Sequence, residues 1–525
     1  MLVSLLLIFV FLAFVVLMYL KKIPAMLALP VMALVFAVVT DLPRDYIVKN
    51  ILEEGPQRFA SAIMAVIFGS MLALFIRNQG IAEALARYAA ELAGERPRML
   101  GLSMMFVTAL LFISLHGLGA VIMVGSVILP MMLSVGIPPV TVAAIMLIGL
   151  SMGGTLNLVN WQLYVSVLDL PKATVRDFMI ILCALYALVG AAFCWWSLRP
   201  SQLHRFWSEA TPKSAAPLRR LALLAPLSPL LCVLFLQWPI VPSFIAGIFF
   251  TLLVSTLAGQ LALLSLLVLW ANLAALSYYL PQWAAQHVAQ EISLWQASAN
   301  GILVLLPFLV WTILALWRTH RRREGVRFYL AALVPMVPLL FIHVLHLDFI
   351  SAFLTGFLLA IVATIRRETV QTFTKSTLEA FESAAPAVLL IMGIGILLAT
   401  VSHPSIRAAL EPMMSRFAPK SPFAFVLIFG LLAPLALYRG PLNLWGMGSG
   451  LIAIFLATGV LGPQAIMAAL GSVSAVQAVC DPTNTHNVWI ASQTKVETLD
   501  ILRRTLPFIW PMSIMALTIA AILYY

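Results

Sequence analysis

Apolar runs of about 20 residues, the length of a helix crossing the hydrocarbon core of a bilayer, recur along this chain with short polar connections between them. The clearest are Met1 to Leu20, Ile23 to Val39, Leu100 to Leu115, Phe178 to Leu198, Leu303 to Trp317, Phe328 to Val344, Ala387 to Val401, Phe423 to Tyr438 and Leu506 to Tyr524. With the less sharply bounded stretch from Leu221 to Leu276, the pattern predicts about a dozen spans. The runs lack the alternation of barrel strands, so the fold class is all-α, a polytopic transmembrane helical bundle.

Polar and small residues interrupt these runs twice in matching order. A shift of 323 positions (439 − 116) carries His116-Gly117 onto Arg439-Gly440 and Gly125-Ser126 onto Gly448-Ser449 without a gap. The same shift carries Gly136 onto Gly459, Ser151 onto Ser474, Lys172 onto Lys495 and Asp177 onto Asp500. Duplicated halves with helix-interrupting positions in corresponding places are how secondary carriers build one midplane site from two repeats.

Composition agrees with a membrane protein: 62% of the 525 residues are hydrophobic and 10% charged, with a mean hydropathy of +1.04. The net charge of +11 does not point to nucleic acid, because the basic residues crowd short loops. One loop holds Arg199, Arg205, Lys213, Arg219 and Arg220, another Arg318, Arg321, Arg322, Arg323 and Arg327. The positive-inside rule makes these loops cytoplasmic, together with Lys21-Lys22 and Arg366-Arg367, and the N-terminus external. The first span lacks a basic leader and a small-residue cleavage site, and so reads as a retained helix. Repeat one then starts outside and repeat two inside, which makes them inverted. Cys183, Cys194, Cys232 and Cys480 lie in or beside apolar segments and read as packing residues.

Four segments follow: a two-helix appendage over 1–52, transport repeat one over 53–199, a central block of scaffold helices over 200–378, and transport repeat two over 379–525. The central block lacks the Gly and polar signature and suits a scaffold or an oligomer contact. Each repeat carries a charged, amphipathic stretch, Ile81 to Arg98 and Ser405 to Lys420, either an interfacial helix or a solvated connector.

Polar residues retained inside apolar spans are costly and therefore candidates for function. In repeat one, Gly149, Ser151, Gly153, Gly154, Thr155, Asn157, Asn160 and Gln162 cluster beside Trp161. Adjacent glycines predict an unwound segment there. In repeat two, Ser472, Ser474, Gln477, Asp481, Pro482, Thr483, Asn484, Thr485, His486 and Asn487 cluster around a proline that stops the helix. Broken helices aim N–H groups at the break, and neutral Asn, Thr and Ser add hydrogen bonds, a combination suited to an organic anion. The alternative is that these residues hold helices together. Each repeat also has an earlier Gly-rich segment, at His116 to Gly119 and at Arg439 to Asn443, leading into Gly125-Ser126 and Gly448-Ser449 and resembling hairpin tips. Arg439 offers a bidentate partner for a carboxylate or snorkels at the interface. His116 titrates near neutral pH or is a satisfied helix-end residue. Asp481 is a candidate for a coupling proton or sodium ion, or a cap on the next helix. His343, His346 and Asp348 have ligand-like spacing in a connection outside both repeats. No nucleotide-binding loop or hydrolase motif occurs, so the chain reads as a carrier rather than an enzyme, with no resident cofactor and no metal.

The opening helix followed by Lys21-Lys22-Ile23-Pro24-Ala25, the run Gly125-Ser126-Val127-Ile128-Leu129-Pro130 with Gly136 and Pro138, and Ala433-Pro434-Leu435, Gly448-Ser449 and Asp481 to Arg504 resemble the ion transporter superfamily of bacterial anion carriers, in its citrate and gluconate permease branches. The resemblance implies hairpins and broken helices in inverted repeats, a substrate site between them, proton or sodium coupling, and a homodimer in the bacterial inner membrane. It places substrate contacts near Gly125, Ser126, Thr155, Asn157, Gly448, Ser449, Thr483 and Asn484. Metal-citrate carriers tend to have acidic residues at the first hairpin, whereas here it reads Leu115-His116-Gly117-Leu118-Gly119. The expectation is therefore cation-coupled symport of a small carboxylate by alternating access. The alternatives are a cation/proton antiporter and a non-transport membrane enzyme or assembly factor.

Overall fold

The structure, a computed structural model, describes residues 2–20, 22–78, 81–93, 96–198, 220–254, 259–272, 309–310, 312–321, 329–330, 333–334, 349–364, 367–439 and 448–525. These residues are helical with no strand among them, a polytopic membrane bundle as the apolar runs require. Among the described residues, six helices are long and apolar enough to cross a bilayer, or seven counting one bent pair. Large apolar side chains stand outward, with Phe9 69% and Ile522 79% exposed, as on a lipid-facing surface. Contacts divide the chain into two compact units, one of Met1–Ala216 with Leu378–Tyr525 and one of Pro217–Thr377.

The first unit opens with α1 (Leu2–Tyr19) and α2 (Ala25–Val39). Next come α3 (Arg44–Asn78), widened into π-type turns over Ile47–Glu54, the amphipathic α4 (Ile81–Ala93), and a hairpin of α5 (Pro97–Phe112) and α6 (Gly117–Ser134). A broken helix, α7 (Pro139–Thr155) and α8 (Leu158–Leu168), bends by 49° at its break, and α9 (Lys172–Ser197) ends this stretch. The second unit contains α10 (Ser228–Phe235), α11 (Ile240–Val254), α12 (Gly259–Asn272) and α13 (Phe349–Thr364). Trp238, Ala246 and Leu269 form a small core there.

The remaining chain repeats the earlier order. A long helix, α14 (Arg367–Val401), precedes the shorter α15 (Pro404–Phe417). The hairpin counterpart is α16 (Pro422–Leu432), tightened into 3-10 turns over Ala433–Arg439, with α17 (Gly448–Thr458). The broken pair is α18 (Pro463–Cys480) and α19 (Thr485–Thr494), and the final helix is α20 (Thr498–Tyr524).

This correspondence corrects the constant register. The shift is 323 at Gly136 and Gly459, both in positive φ, and 324 at Pro139 and Pro463, which open α7 and α18. It grows because α18 is one residue longer than α7, and because the second break, Asp481–Asn484, has two more residues than Leu156–Asn157. The capping asparagines Asn157 and Asn484 are therefore 327 apart, and α19, one residue shorter than α8, brings the left-handed residues Asp169 and Lys495 to 326. Lys172 opens α9 while Lys495 closes α19, so the pairing of Lys172 with Lys495 and of Asp177 with Asp500 is a coincidence of type.

The glycines of repeat one also depart from expectation. Gly149 and Gly153 are helical, because their missing side chains let α7 lie against the backbone of α5 at Met105 and Ala109. A Cβ on Gly153 would overlap the Ala109 carbonyl, whereas one on Gly154 would meet nothing closer than 3.9 Å. The repeats also grip each other. Arg77 Nη2 on α3 pairs with Glu379 Oε2 on α14 at 2.6 Å. The Tyr46 hydroxyl donates to the Ala399 carbonyl at 3.0 Å, and Phe193 stacks edge-on against Phe508 at 5.2 Å between centroids.

Overpacking of the α5–α7 contact predicts that Gly153→Ala destabilises the purified protein by about 1–3 kcal/mol. Gly154→Ala is expected to hold or raise stability, since alanine favours the helix and meets open space. Thermal unfolding in detergent measures both; equal melting temperatures would count against the close approach.

Candidate functional site

Both helix breaks open onto one cavity of about 360 Å³. Repeat one contributes His116, Ser151, Gly154, Thr155, Asn157, Asn160, Tyr164 and Tyr186, and repeat two contributes Gly471, Ser474, Gln477, Asn484 and His486. Val66 of α3 and Ala387 of α14 complete part of the wall.

Each break is held by two asparagines three apart. Asn157 caps α8, its Oδ1 accepting from the N–H of Val159 at 2.9 Å, while its Nδ2 donates to the carbonyls of Phe112 at 2.9 Å and Leu115 at 3.0 Å. That one amide satisfies the start of α8 and the end of α5, tying the broken helix to the hairpin tip. Asn160 Nδ2 donates back to the Gly154 carbonyl at 2.7 Å, and Trp161 Nε1 to the Thr155 carbonyl at 2.7 Å. In repeat two, Asn484 caps α19 by accepting from the N–H of His486 at 3.3 Å, and Asn487 Nδ2 donates to the Val479 carbonyl at 3.0 Å. Asn-x-x-Asn is thus the signature shared by both breaks. A fixed shift of 323 conceals it, because it lies at 327.

Asp481 is fully buried and belongs to this cap. Its Oδ1 accepts from the N–H and from the Oγ1 of Thr483, both at 2.8 Å, which closes the longer second break. Neither Asp481 nor Thr483 is a wall residue of the cavity. Thr155, a wall residue, has its hydroxyl donating to the Met152 carbonyl at 2.7 Å.

Among the wall residues, Ser151 Oγ, Ser474 Oγ and His116 Nδ1 have no hydrogen-bond partner. The other ring nitrogen of His116 meets Ser70 Oγ at 2.9 Å. His116 is the N-cap residue of α6, so three helix starts, of α6, α8 and α19, border the same space. No Asp, Glu, Lys or Arg is among the described wall residues.

Other expected site residues stand elsewhere. Gly125 is buried beneath the Trp489 ring of α19, which leaves no room for a side chain there. Ser126 is exposed and donates to the Met123 carbonyl at 2.7 Å. Thr485 is exposed on the first turn of α19. Asn443 lies outside the described residues, as do the side chains of Arg439, Gly448 and Ser449. The His343, His346 and Asp348 set lies outside them too. Ser70, Tyr164 and Tyr186 were not expected at the site. Single hydroxyls inside apolar helices carry no pattern that separates a cavity wall from a packed core.

Asn157→Ala removes a cap and strands two carbonyls, an expected loss of about 2 kcal/mol or more. Asn484→Ala removes one longer bond and is expected to cost less. Denaturation of the two variants side by side tests this order; an equal or reversed ranking would remove Asn157 as the clamp between break and hairpin.

No protein-family model matches the chain, and no curated protein matches it. Among solved structures it is similar to the YdaH transporter of Alcanivorax borkumensis, described as having an unusual topology, with a TM-score of 0.50 and 14% sequence identity over 92% of this chain and 89% of that one. At that identity the likeness is one of fold, and it extends over nearly the whole length of a polytopic helical membrane protein.

Proposed function

We propose that this chain is a secondary active transporter that carries a small organic anion, a carboxylate, in symport with a proton or a sodium ion by alternating access between its two repeats. The observation that carries this reading is the cavity formed jointly by two broken helices, bordered by three helix starts and by no described acidic side chain. Helix N-termini bear a partial positive charge that favours an anion without a fixed cation. A volume of about 360 Å³ suits a compact solute. Ser474 Oγ offers an uncommitted hydrogen bond, and Gln477 and Asn160 belong to the same wall.

The neighbour of like fold is a transporter, in keeping with this reading. Resemblance to the citrate and gluconate permease branches favours a hydroxylated or multiply carboxylated cargo, a homodimer and a bacterial inner membrane. Cation antiport is the weaker reading, since such an exchanger needs carboxylates on its pathway and Asp481 spends Oδ1 on Thr483.

Proteoliposomes containing the full chain are expected to take up at least one of labelled acetate, succinate, citrate or gluconate, faster under an inward proton or sodium gradient. Ser474→Ala is expected to raise KM about tenfold through loss of a hydrogen bond to a charged cargo, with the melting temperature unchanged. Uptake of none of the four above empty vesicles would overturn the proposal.

A further inference from the structure

We propose that His116 and His486 form the proton-carrying pair of this cavity, one from each repeat, so that the coupling ion is a proton held as an imidazolium beside the anion. The inference rests on the transport reading above and deepens it by naming the ion and its seat.

His116 and His486 both line the same cavity. They enter from different repeats, His116 at the tip of the first hairpin and His486 in the first turn of α19. The His116 ring meets Ser70 Oγ at 2.9 Å, and the backbone of His486 is held at the start of α19 by its N–H donating to Asn484 Oδ1 at 3.3 Å. Nδ1 of His116 has no partner, so one ring nitrogen remains to gain or lose a proton. Among the described wall residues, the other titratable groups are the phenols of Tyr164 and Tyr186. Charged groups on the packed helices are engaged or stand off the wall. Arg77 on α3 pairs with Glu379 on α14, Glu382 is exposed, Asp481 holds Thr483, and α6, α8 and α19 carry no Asp, Glu, Lys or Arg.

Among the described wall residues, therefore, only imidazole can supply a full positive charge opposite an anion. The pair carries one proton, because a second cation in the same cavity would be repelled. In the step, an imidazole nitrogen forms an N–H bond with a proton released by water on one side of the membrane. The anion binds, and the proton returns to water on the other side as the anion leaves. One proton crosses with each anion, offsetting one of its negative charges, with nothing oxidised or reduced.

The test uses the full chain in vesicles loaded with a pH-sensitive dye, with labelled succinate and labelled gluconate as probes. In wild type, KM for the transported probe is expected to rise about tenfold per pH unit on the alkaline limb, with dye acidification during uptake. His116→Gln and His486→Gln are each expected to flatten that profile and to uncouple residual probe exchange from dye acidification. Ser70→Ala, which keeps both imidazoles, is expected to displace the profile without flattening it. An unchanged profile with continued acidification in either histidine variant would overturn the pair. A second readout needs no transport: in nitrogen-15 histidine spectra of the purified protein, replacing either imidazole is expected to alter the titration of the other, and independent titrations would overturn the proposal. If wild type moves neither probe, the spectra still decide the pair, and only the transport reading loses support.

Discussion

A helix interrupted away from water leaves carbonyls and N–H groups that must find partners within the protein, and the rest of this molecule depends on how that requirement is met. Each break uses an asparagine pair, because an amide both donates and accepts and carries no charge. Asn157 and Asn484 accept from the start of the second half-helix, and Asn160 and Asn487 donate to the end of the first. A serine cannot donate twice as Asn157 does to Phe112 and Leu115. An aspartate there would have oxygens where those two carbonyls need donors. With the backbone satisfied on one side of each break, the other side is free to be a wall.

Close helix contacts then decide where that wall stands. Gly149 and Gly153 bring α7 onto the α5 backbone, which holds the first break beside the hairpin tip. Gly125 accepts the Trp489 ring of α19, which packs the second broken helix against the first hairpin. Gly153, one of the adjacent glycines that look from the sequence like a point of unwinding, is therefore a point of contact. Dense packing around a cavity lets its shape persist, since dispersion and excluded volume penalise collapse or shift of any one wall.

Much of the architecture is legible in the chain because hydrophobic length and repeated interruptions are both properties of sequence order. The apolar runs disclose a helical membrane bundle, and the polar clusters disclose both breaks. What misleads is register. Insertions of one and two residues fall in α18 and in the second break, where the chain tolerates them by adding a turn capped by Asp481. A rigid alignment then matches Lys172 to Lys495 and overlooks Asn157 with Asn484. Side-chain direction is equally hidden. Ser126 and Thr155 are both small hydroxyl residues within apolar helices, yet only Thr155 reaches the cavity, because α6 turns Ser126 outward. Ser70, Tyr164 and Tyr186 come to the site through tertiary packing, for which short-range pattern gives no warning.

Absence of fixed charge among the described wall residues has a consequence for how such a cavity works. An arginine there would attract an anion strongly, but it would also have to remain solvated when the site is empty, at a cost of several kcal/mol in a low-dielectric interior. Partial charges at helix starts avoid that penalty, since each belongs to a hydrogen-bonded backbone and exists whether or not cargo is bound. In the proposed transport cycle they attract an anion moderately, so that it can also be released. Groups that change charge with their surroundings can then add the missing attraction only while the cargo is present. The Asn-capped breaks make this possible: by satisfying the backbone without ions, they leave the local field to helix dipoles and to whatever titrates in the wall.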